Sequence, residues 1–242
     1  KGGFNMYDVK EFKFNKDRCW FRTNCPMYGT KDCNCSCSVY FQYYYLVNLA
    51  NIPPNKQQPE DLKLSAGNDI KKYEYLNNIK ENINEFVQDG CNLYLYSPYF
   101  GNGKTTWSIK LMSKYFSNIW SGNGTRCRGL FINVDEFLMA KRNAIKRPDL
   151  RLEEMEKLIP TVDLVVWDDI GVTKLKEYDH QILFSIINPR IVNSKANIFT
   201  SNVIDDQLDD NIGGRLASRI LDTSTIVEFT NKPQRKPKGV RI

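Results

Sequence analysis

The sequence predicts an α/β fold in which a parallel sheet carries helices on both faces. Three observations point there. Strand-length apolar or alternating runs fall at 92 to 97, 128 to 134, 163 to 169, 197 to 202 and 224 to 229, and helix-length stretches at 104 to 120, 135 to 145, 151 to 158 and 178 to 193 separate most of them. A glycine loop ending in Lys-Thr joins the first run to the helix after it. The third run ends in two aspartates.

Before the first strand, Leu76, Ile79, Ile83, Phe86 and Val87 recur at spacings of three and four between Lys71 and Asp89, which predicts an amphipathic helix stopped at Gly90. Further upstream, NIPPNKQQPEDLKLSAGND (51 to 69) is rich in proline and polar residues without apolar periodicity, and reads as a linker. The boundary is placed there: residues 1–68 form a cysteine-rich N-terminal piece with its linker, and 69–242 form the α/β domain.

The chain has 242 residues, enough for one ordinary domain with an appendage and too few for a large multidomain machine. With 41% hydrophobic and 26% charged residues a buried core is feasible, and seven unevenly spread cysteines do not make a disulfide scaffold. The net charge of +6, from 34 basic and 28 acidic residues, is compatible with nucleic-acid contact without deciding it. No run approaches the ~20 apolar residues of a membrane span, and KGGFNMYDVKEFKF lacks the apolar core of a secretory signal, so a cytoplasmic protein without a membrane partner is expected. The chain starts at Lys1 without methionine, which leaves room for a start further upstream.

Directly after the strand NLYLYS comes Ser97-Pro98-Tyr99-Phe100-Gly101-Asn102-Gly103-Lys104-Thr105-Thr106. In a phosphate-binding loop, backbone amides wrap the phosphates, the lysine reaches the terminal phosphates and the hydroxyl holds Mg²⁺. Gly103, Lys104 and Thr105 fit that pattern, and Pro98 stands at its first glycine position. A surface turn explains GNGK taken alone. The strand before, the helix after and a second acidic motif argue against it. That motif, Leu164-Val165-Val166-Trp167-Asp168-Asp169, is an apolar strand that delivers Asp168 to the Mg²⁺ shell with Asp169 next in line to polarise water. In isolation, an acidic helix cap would do as well. Asn202, at the end of NIFTSN, is either a turn-forming residue or placed to bond the γ-phosphate or the attacking water. Arg215 and Arg219 stand one helical turn apart, either as a solvated face or as cations offered to a neighbouring subunit's nucleotide.

Together GNGKTT, LVVWDDIG, FTSN and GGRLASRI resemble the DnaC-type helicase loaders of bacteria and phages (DnaC/DnaI class), which are AAA+ ATPases without the C-terminal helical lid. The resemblance covers residues 70 to 242. It implies an AAA+ P-loop core in which Gly101, Asn102, Gly103, Lys104, Thr105 and Thr106 bind ATP and Mg²⁺ with Asp168. It implies that Asp169, standing where many AAA+ proteins carry Glu, handles the water, that Asn202 is sensor 1, and that Arg219, with Arg215 as companion, is the arginine finger. Hydrolysis is then slow and dependent on homo-oligomer contact and single-stranded DNA. The implied function is ATP-dependent delivery of a DnaB-type replicative helicase to DNA during replication initiation. An IstB-like transposition helper, or an adaptor that senses nucleotide without hydrolysis, are the rivals.

Cys19, Cys25, Cys33, Cys35 and Cys37 read as metal ligands before disulfides in a reducing compartment. Five candidates exist for four zinc positions, and an iron-sulfur cluster would use the same thiolates. The resemblance to phage-type members with a zinc-binding N-terminus selects Cys19, Cys25, Cys33 and Cys37 for Zn²⁺. The run Tyr40, Phe41, Tyr43, Tyr44, Tyr45, Leu46 and Val47 is either core or, as favoured here, a helicase-gripping surface. For single-stranded DNA, the resemblance places Lys174, Lys176 and Tyr178 first. Lys141, Arg142, Lys146, Arg147, Arg151 and the basic stretch from Lys232 to Arg241 are further candidates.

Overall fold

The computed structural model describes residues 16–19, 22, 25–34, 37, 40, 46–57, 69–119 and 126–231. From residue 70 the elements run α1 (Ile70–Glu81), α2 (Ile83–Gln88), β1 (Asn92–Tyr96), α3 (Lys104–Ile119), β2 (Gly129–Asn133), α4 (Val134–Ala144) and α5 (Leu150–Leu158). They continue with β3 (Leu164–Asp168), α6 (Glu177–Val192), β4 (Ala196–Ser201), α7 (Asp206–Ile212), α8 (Gly214–Thr223) and β5 (Ser224–Glu228). The five strands form one sheet in the order β2-β3-β4-β1-β5, with every pairing parallel. This is the doubly covered parallel sheet of an AAA+ P-loop core, as expected.

Strand alternation divides the core in two. Leu93, Leu95, Phe131, Leu164, Val166, Ala196 and Ile198 face α1, α2 and α3, whereas Tyr94, Leu130, Ile132, Val165, Trp167 and Phe199 face α4 to α8. The helix expected over 71 to 89 is interrupted at Asn82 (φ −102°, ψ 28°), whose side-chain amide donates to Asn78 O at 3.1 Å. An asparagine side chain that bonds a helix carbonyl competes with the backbone ladder, which breaks the segment into α1 and α2.

At the N-terminal edge of the sheet a buried polar network links three strands. Asn197 Oδ1 accepts from Trp167 Nε1 (3.1 Å) and Arg190 Nε (2.8 Å), and Asn197 Nδ2 donates to Asn92 Oδ1 (2.8 Å). Arg190 is 1% exposed and also donates to the carbonyls of Ile159, Val162, Asp163 and Ala196. Burial pushes its pKa down to about 9, with Asp163 acting against the fall, so the guanidinium stays charged at neutral pH.

Residues 46–57, on the N-terminal side of the expected boundary near 68, pack onto this domain. Leu46, Val47, Ala50 and Ile52 are buried in the same cluster as Trp107, Met112 and Phe131. Leu46 and Val47 therefore belong to the core and are not available as a gripping surface. Phe41, Tyr43, Tyr44 and Tyr45 of the aromatic run lie outside the described residues, as do the rest of the linker to residue 68 and the basic stretch from Lys232. Phe131 N, on the outer edge of β2, donates to Ala50 O at 2.6 Å, so the segment also covers that edge of the sheet. No helix among the described residues is long and apolar enough to cross a membrane.

Candidate functional site

β3, β4 and β1 are neighbours in the sheet, so the residues leaving their C-terminal ends meet along one edge. The loop after β1 turns through Gly101 (φ 76°) and Gly103 (φ 102°), conformations that a Cβ disfavours, and glycine there also leaves the backbone amides unscreened. Asn102 Nδ2 donates to Ser97 Oγ, which also accepts from Tyr99 N at 3.2 Å. Helix α3 begins directly at Lys104 and has no acidic residue in its first turn, so the amides and the positive dipole end of that turn favour an anion.

Lys104 is 6% exposed. Its ammonium donates to Asn202 Oδ1 (2.6 Å), Tyr99 O (3.0 Å), Ser97 O (3.4 Å) and Asn102 Oδ1 (3.4 Å). The loop lysine and the asparagine at the end of β4, 98 residues apart in sequence, are thus in direct contact. Phosphate oxygens are acceptors of the same kind as those that surround the ammonium, and stronger ones for being charged.

Asp168 is almost fully buried and ends β3. Its Oδ1 accepts from Thr200 Oγ1 at 2.8 Å, and the same hydroxyl accepts from Asp169 N at 3.0 Å. Thr200 therefore ties β4 to both aspartates. Asp169 is half-buried and adopts a left-handed backbone (φ 59°), which Asp tolerates better than most residues and which marks a sharp turn off the strand. Burial pushes its carboxyl pKa up and the neighbouring Asp168 adds to the rise, while Lys56 and Lys104 pull it back. The turn is packed tightly: a Cβ on Gly171 (φ 73°) would lie 2.5 Å from Leu208 Cδ1. Thr105 and Thr106 are half-buried in the first turn of α3. The carboxylate of Asp168 and the hydroxyl of Thr105 are hard oxygen donors, a set that fits Mg²⁺.

Sequence reasoning missed two residues here. Thr200 lies in the strand motif FTSN, where every second residue faces one side, but nothing singles out its hydroxyl. Lys56 Nζ reaches Asp168 Oδ2 at 3.8 Å from a polar, proline-rich stretch that carries no periodic signal.

The arginines of α8 share one face. Arg215 stacks on the Phe184 ring, 4.3 Å from its centroid, and Arg219 is exposed. Lys174, Lys176 and Tyr178 are all exposed around the start of α6. Lys141 and Arg142 are paired with Glu156 and Asp179, whereas Lys146, Arg147 and Arg151 line an open groove of about 910 Å³ at the α4–α5 turn. Among the described residues Cys19, Cys25, Cys33 and Cys37 form no disulfide with one another, and no three His, Cys, Asp or Glu side chains converge on a metal position. As placed, these cysteines do not fit the expected zinc tetrahedron; Cys35 lies outside the described residues.

Sheet order, loop and paired acidic strand give the chain the fold of an AAA+ P-loop domain, and its likenesses agree. No family profile matches it. It is 28% identical over 124 residues to the chromosomal replication initiator protein DnaA of Mycoplasma genitalium, a stretch that covers 51% of this chain and 28% of that protein. The chain thus spans under a third of that relative's length. Among solved structures, a DnaC helicase loader superposes with a TM-score of 0.59 at 15% identity, covering 74% of this chain and all of that one. DnaI gives 0.59 at 19% identity, covering 74% of this chain and 95% of that one. DnaA bound to AMPPCP and single-stranded DNA gives 0.57 at 23% identity, covering 75% of this chain and 52% of that one. These share the fold.

Proposed function

We propose that this chain is an ATP-dependent loader of the DnaC class, which binds a DnaB-type replicative helicase and single-stranded DNA and releases the helicase on hydrolysis. The observation that carries the reading is the contact of Lys104 with Asn202 beside Asp168 and Asp169. It joins the loop, the metal-facing carboxylate and the sensor position at one sheet edge. The loader reading is favoured over an initiator by the resemblance of GNGKTT, LVVWDDIG, FTSN and GGRLASRI to the DnaC class, the fold itself being common to DnaC, DnaI and DnaA.

In this reading the amides from Gly101 to Lys104 and the Lys104 ammonium hold the β- and γ-phosphates of ATP. Mg²⁺, held by Thr105 and Asp168, would neutralise phosphate charge. Asp169 takes a proton from the attacking water. Asn202 orients water or γ-phosphate. Water oxygen bonds to the γ-phosphorus as the bond to ADP breaks. Arg219 of a neighbouring copy completes the charge stabilisation, since its exposure on α8 leaves it free to reach outward. Lys174, Lys176 and Tyr178 supply two cations and an aromatic face for single-stranded DNA.

Co-purification with a DnaB-type helicase, with and without ATP, tests the loader. A complex that ATP alters is expected; no complex from a chain that binds nucleotide would refute it. ATP turnover with and without single-stranded DNA separates it from a non-hydrolysing adaptor, which would show no turnover for Lys104→Ala to remove.

A further inference from the structure

Given that nucleotide site, the structure assigns a second role to residues 46–57: they form a latch in which Lys56 holds the metal-facing carboxylate of Asp168 and competes with Mg²⁺–nucleotide for it. The carboxylate has two oxygens. Oδ1 is engaged by Thr200, and Oδ2 faces Lys56 Nζ at 3.8 Å. Any cation that uses the second oxygen must contend with the lysine.

Lys56 does not arrive on a loose tether. Leu46, Val47, Ala50 and Ile52, none more than 3% exposed, seat the segment in the core beside α3. Ala50 O accepts the Phe131 amide at the edge of β2. Gln57 Nε2 donates to Asn48 Oδ1 (3.0 Å) and Ile52 O (3.1 Å), which closes the segment on itself. Pro53 and Pro54 stiffen the exit, and the turn Pro54–Lys56 closes with Lys56 N donating to Pro53 O at 2.8 Å. The ammonium then passes over the Phe131 ring, 5.7 Å from its centroid, towards Asp168. One residue of β2 therefore both bears the strap on its backbone and steers the cation with its ring.

The contact is long for an ion pair, and the Lys56 side chain is 39% exposed, so it is a weak hold that a divalent cation displaces. A metal at Asp168 also repels the ammonium, which removes one of the strap's polar ties to the domain. Because linkage is reciprocal, nucleotide with Mg²⁺ loosens the strap by the factor by which the strap weakens nucleotide binding.

The test uses the full chain, a slowly hydrolysed ATP analogue, and the variants Lys56→Met, which keeps the apolar stem over Phe131, and Lys56→Arg. Lys56→Met is expected to bind the Mg²⁺ complex about 1.5- to fivefold more tightly than wild type, as loss of a screened ion pair predicts. Lys56→Arg should behave as wild type, and in EDTA the advantage of Lys56→Met should vanish. Hydrogen exchange at the Phe131 amide should speed up in wild type on adding Mg²⁺ and analogue, and be fast in Lys56→Met already without them. Weaker binding by Lys56→Met would make Lys56 a phosphate ligand, and equal binding would remove the coupling; either overturns the latch while leaving the site intact. A wild type that binds no nucleotide overturns the site itself, and the latch with it.

Discussion

Replacing Asp69 by alanine should destabilise the domain far more than an average substitution at a helix start. Asp69 precedes α1 and is fully buried. Its carboxylate accepts from Thr230 N (3.1 and 3.0 Å), Thr230 Oγ1 (2.9 Å) and Asn231 N (2.8 Å), and pairs with Lys72 at 3.0 Å. It thereby staples the entry of α1 to the exit of β5. Alanine leaves two backbone amides and a hydroxyl without acceptors, each worth about 1–3 kcal/mol when it stays dry, and a lysine without its partner. Partial rescue by water brings the total to ~3–5 kcal/mol, the range for breaking a buried charged pair. With a urea dependence of ~2 kcal/mol/M for a domain of this size, the unfolding midpoint should fall by ~1.5–2.5 M with an unchanged slope. The pH dependence gives a second readout. Burial raises the Asp69 pKa, but the Thr230 and Asn231 amides, Lys72 and the Thr230 hydroxyl outweigh it, and the net shift is downward. A depressed folded-state pKa means that the stabilisation is complete above the unfolded value of ~3.9 and is lost as pH falls through the lower folded value. The gap between wild type and Asp69→Ala should therefore be constant from neutral pH to about 5 and shrink below ~4. A midpoint shift under ~0.3 M, or a gap that closes above pH 5, would refute the staple.

Asn202→Ala should keep nucleotide affinity within a fewfold and lower steady-state ATP turnover by about 10²-fold, as loss of a single transition-state donor does. Arg219→Ala and Lys104→Ala should each be inactive alone, while a mixture of the two regains turnover, because a finger acts on its neighbour's nucleotide; a mixture as inactive as its parts would place Arg219 outside the reaction. Arg190→Met should cost ~3–5 kcal/mol in a denaturant melt, since it strips the donor from the carbonyls of Ile159, Val162 and Ala196. Charge reversal at Lys174 and Lys176 should weaken single-stranded DNA binding and flatten its salt dependence by about one unit of slope or more, measured by fluorescence anisotropy.

Strands β1 to β4 were legible because they are buried on both faces: runs such as LVVW and NIF place apolar side chains alternately into the two halves of the core. The Lys104 loop and the paired aspartates were legible as motifs because phosphate and metal chemistry restrict residue type and spacing together. Helix α7 was missed although Leu208 and Ile212, both buried, stand four apart, since four aspartates from 205 to 210 mask the pattern. The packing of 46–57 was not legible, because Leu46, Val47, Ala50 and Ile52 are too few to set a period and are followed by two prolines. Lys56 and Thr200 matter through what the fold brings beside them, and neither carries a local signal.

The covered edge of β2 bears on how this domain is to be produced and studied. Trimming the chain at residue 69, where its composition changes, would strip the acceptor from the Phe131 amide and bare the apolar surface under Leu46, Val47, Ala50 and Ile52. An uncovered edge strand beside an open apolar patch recruits strands from other molecules. Such a fragment is expected to form assemblies that reflect its cut face, and oligomer sizes measured on it would say nothing of the whole chain.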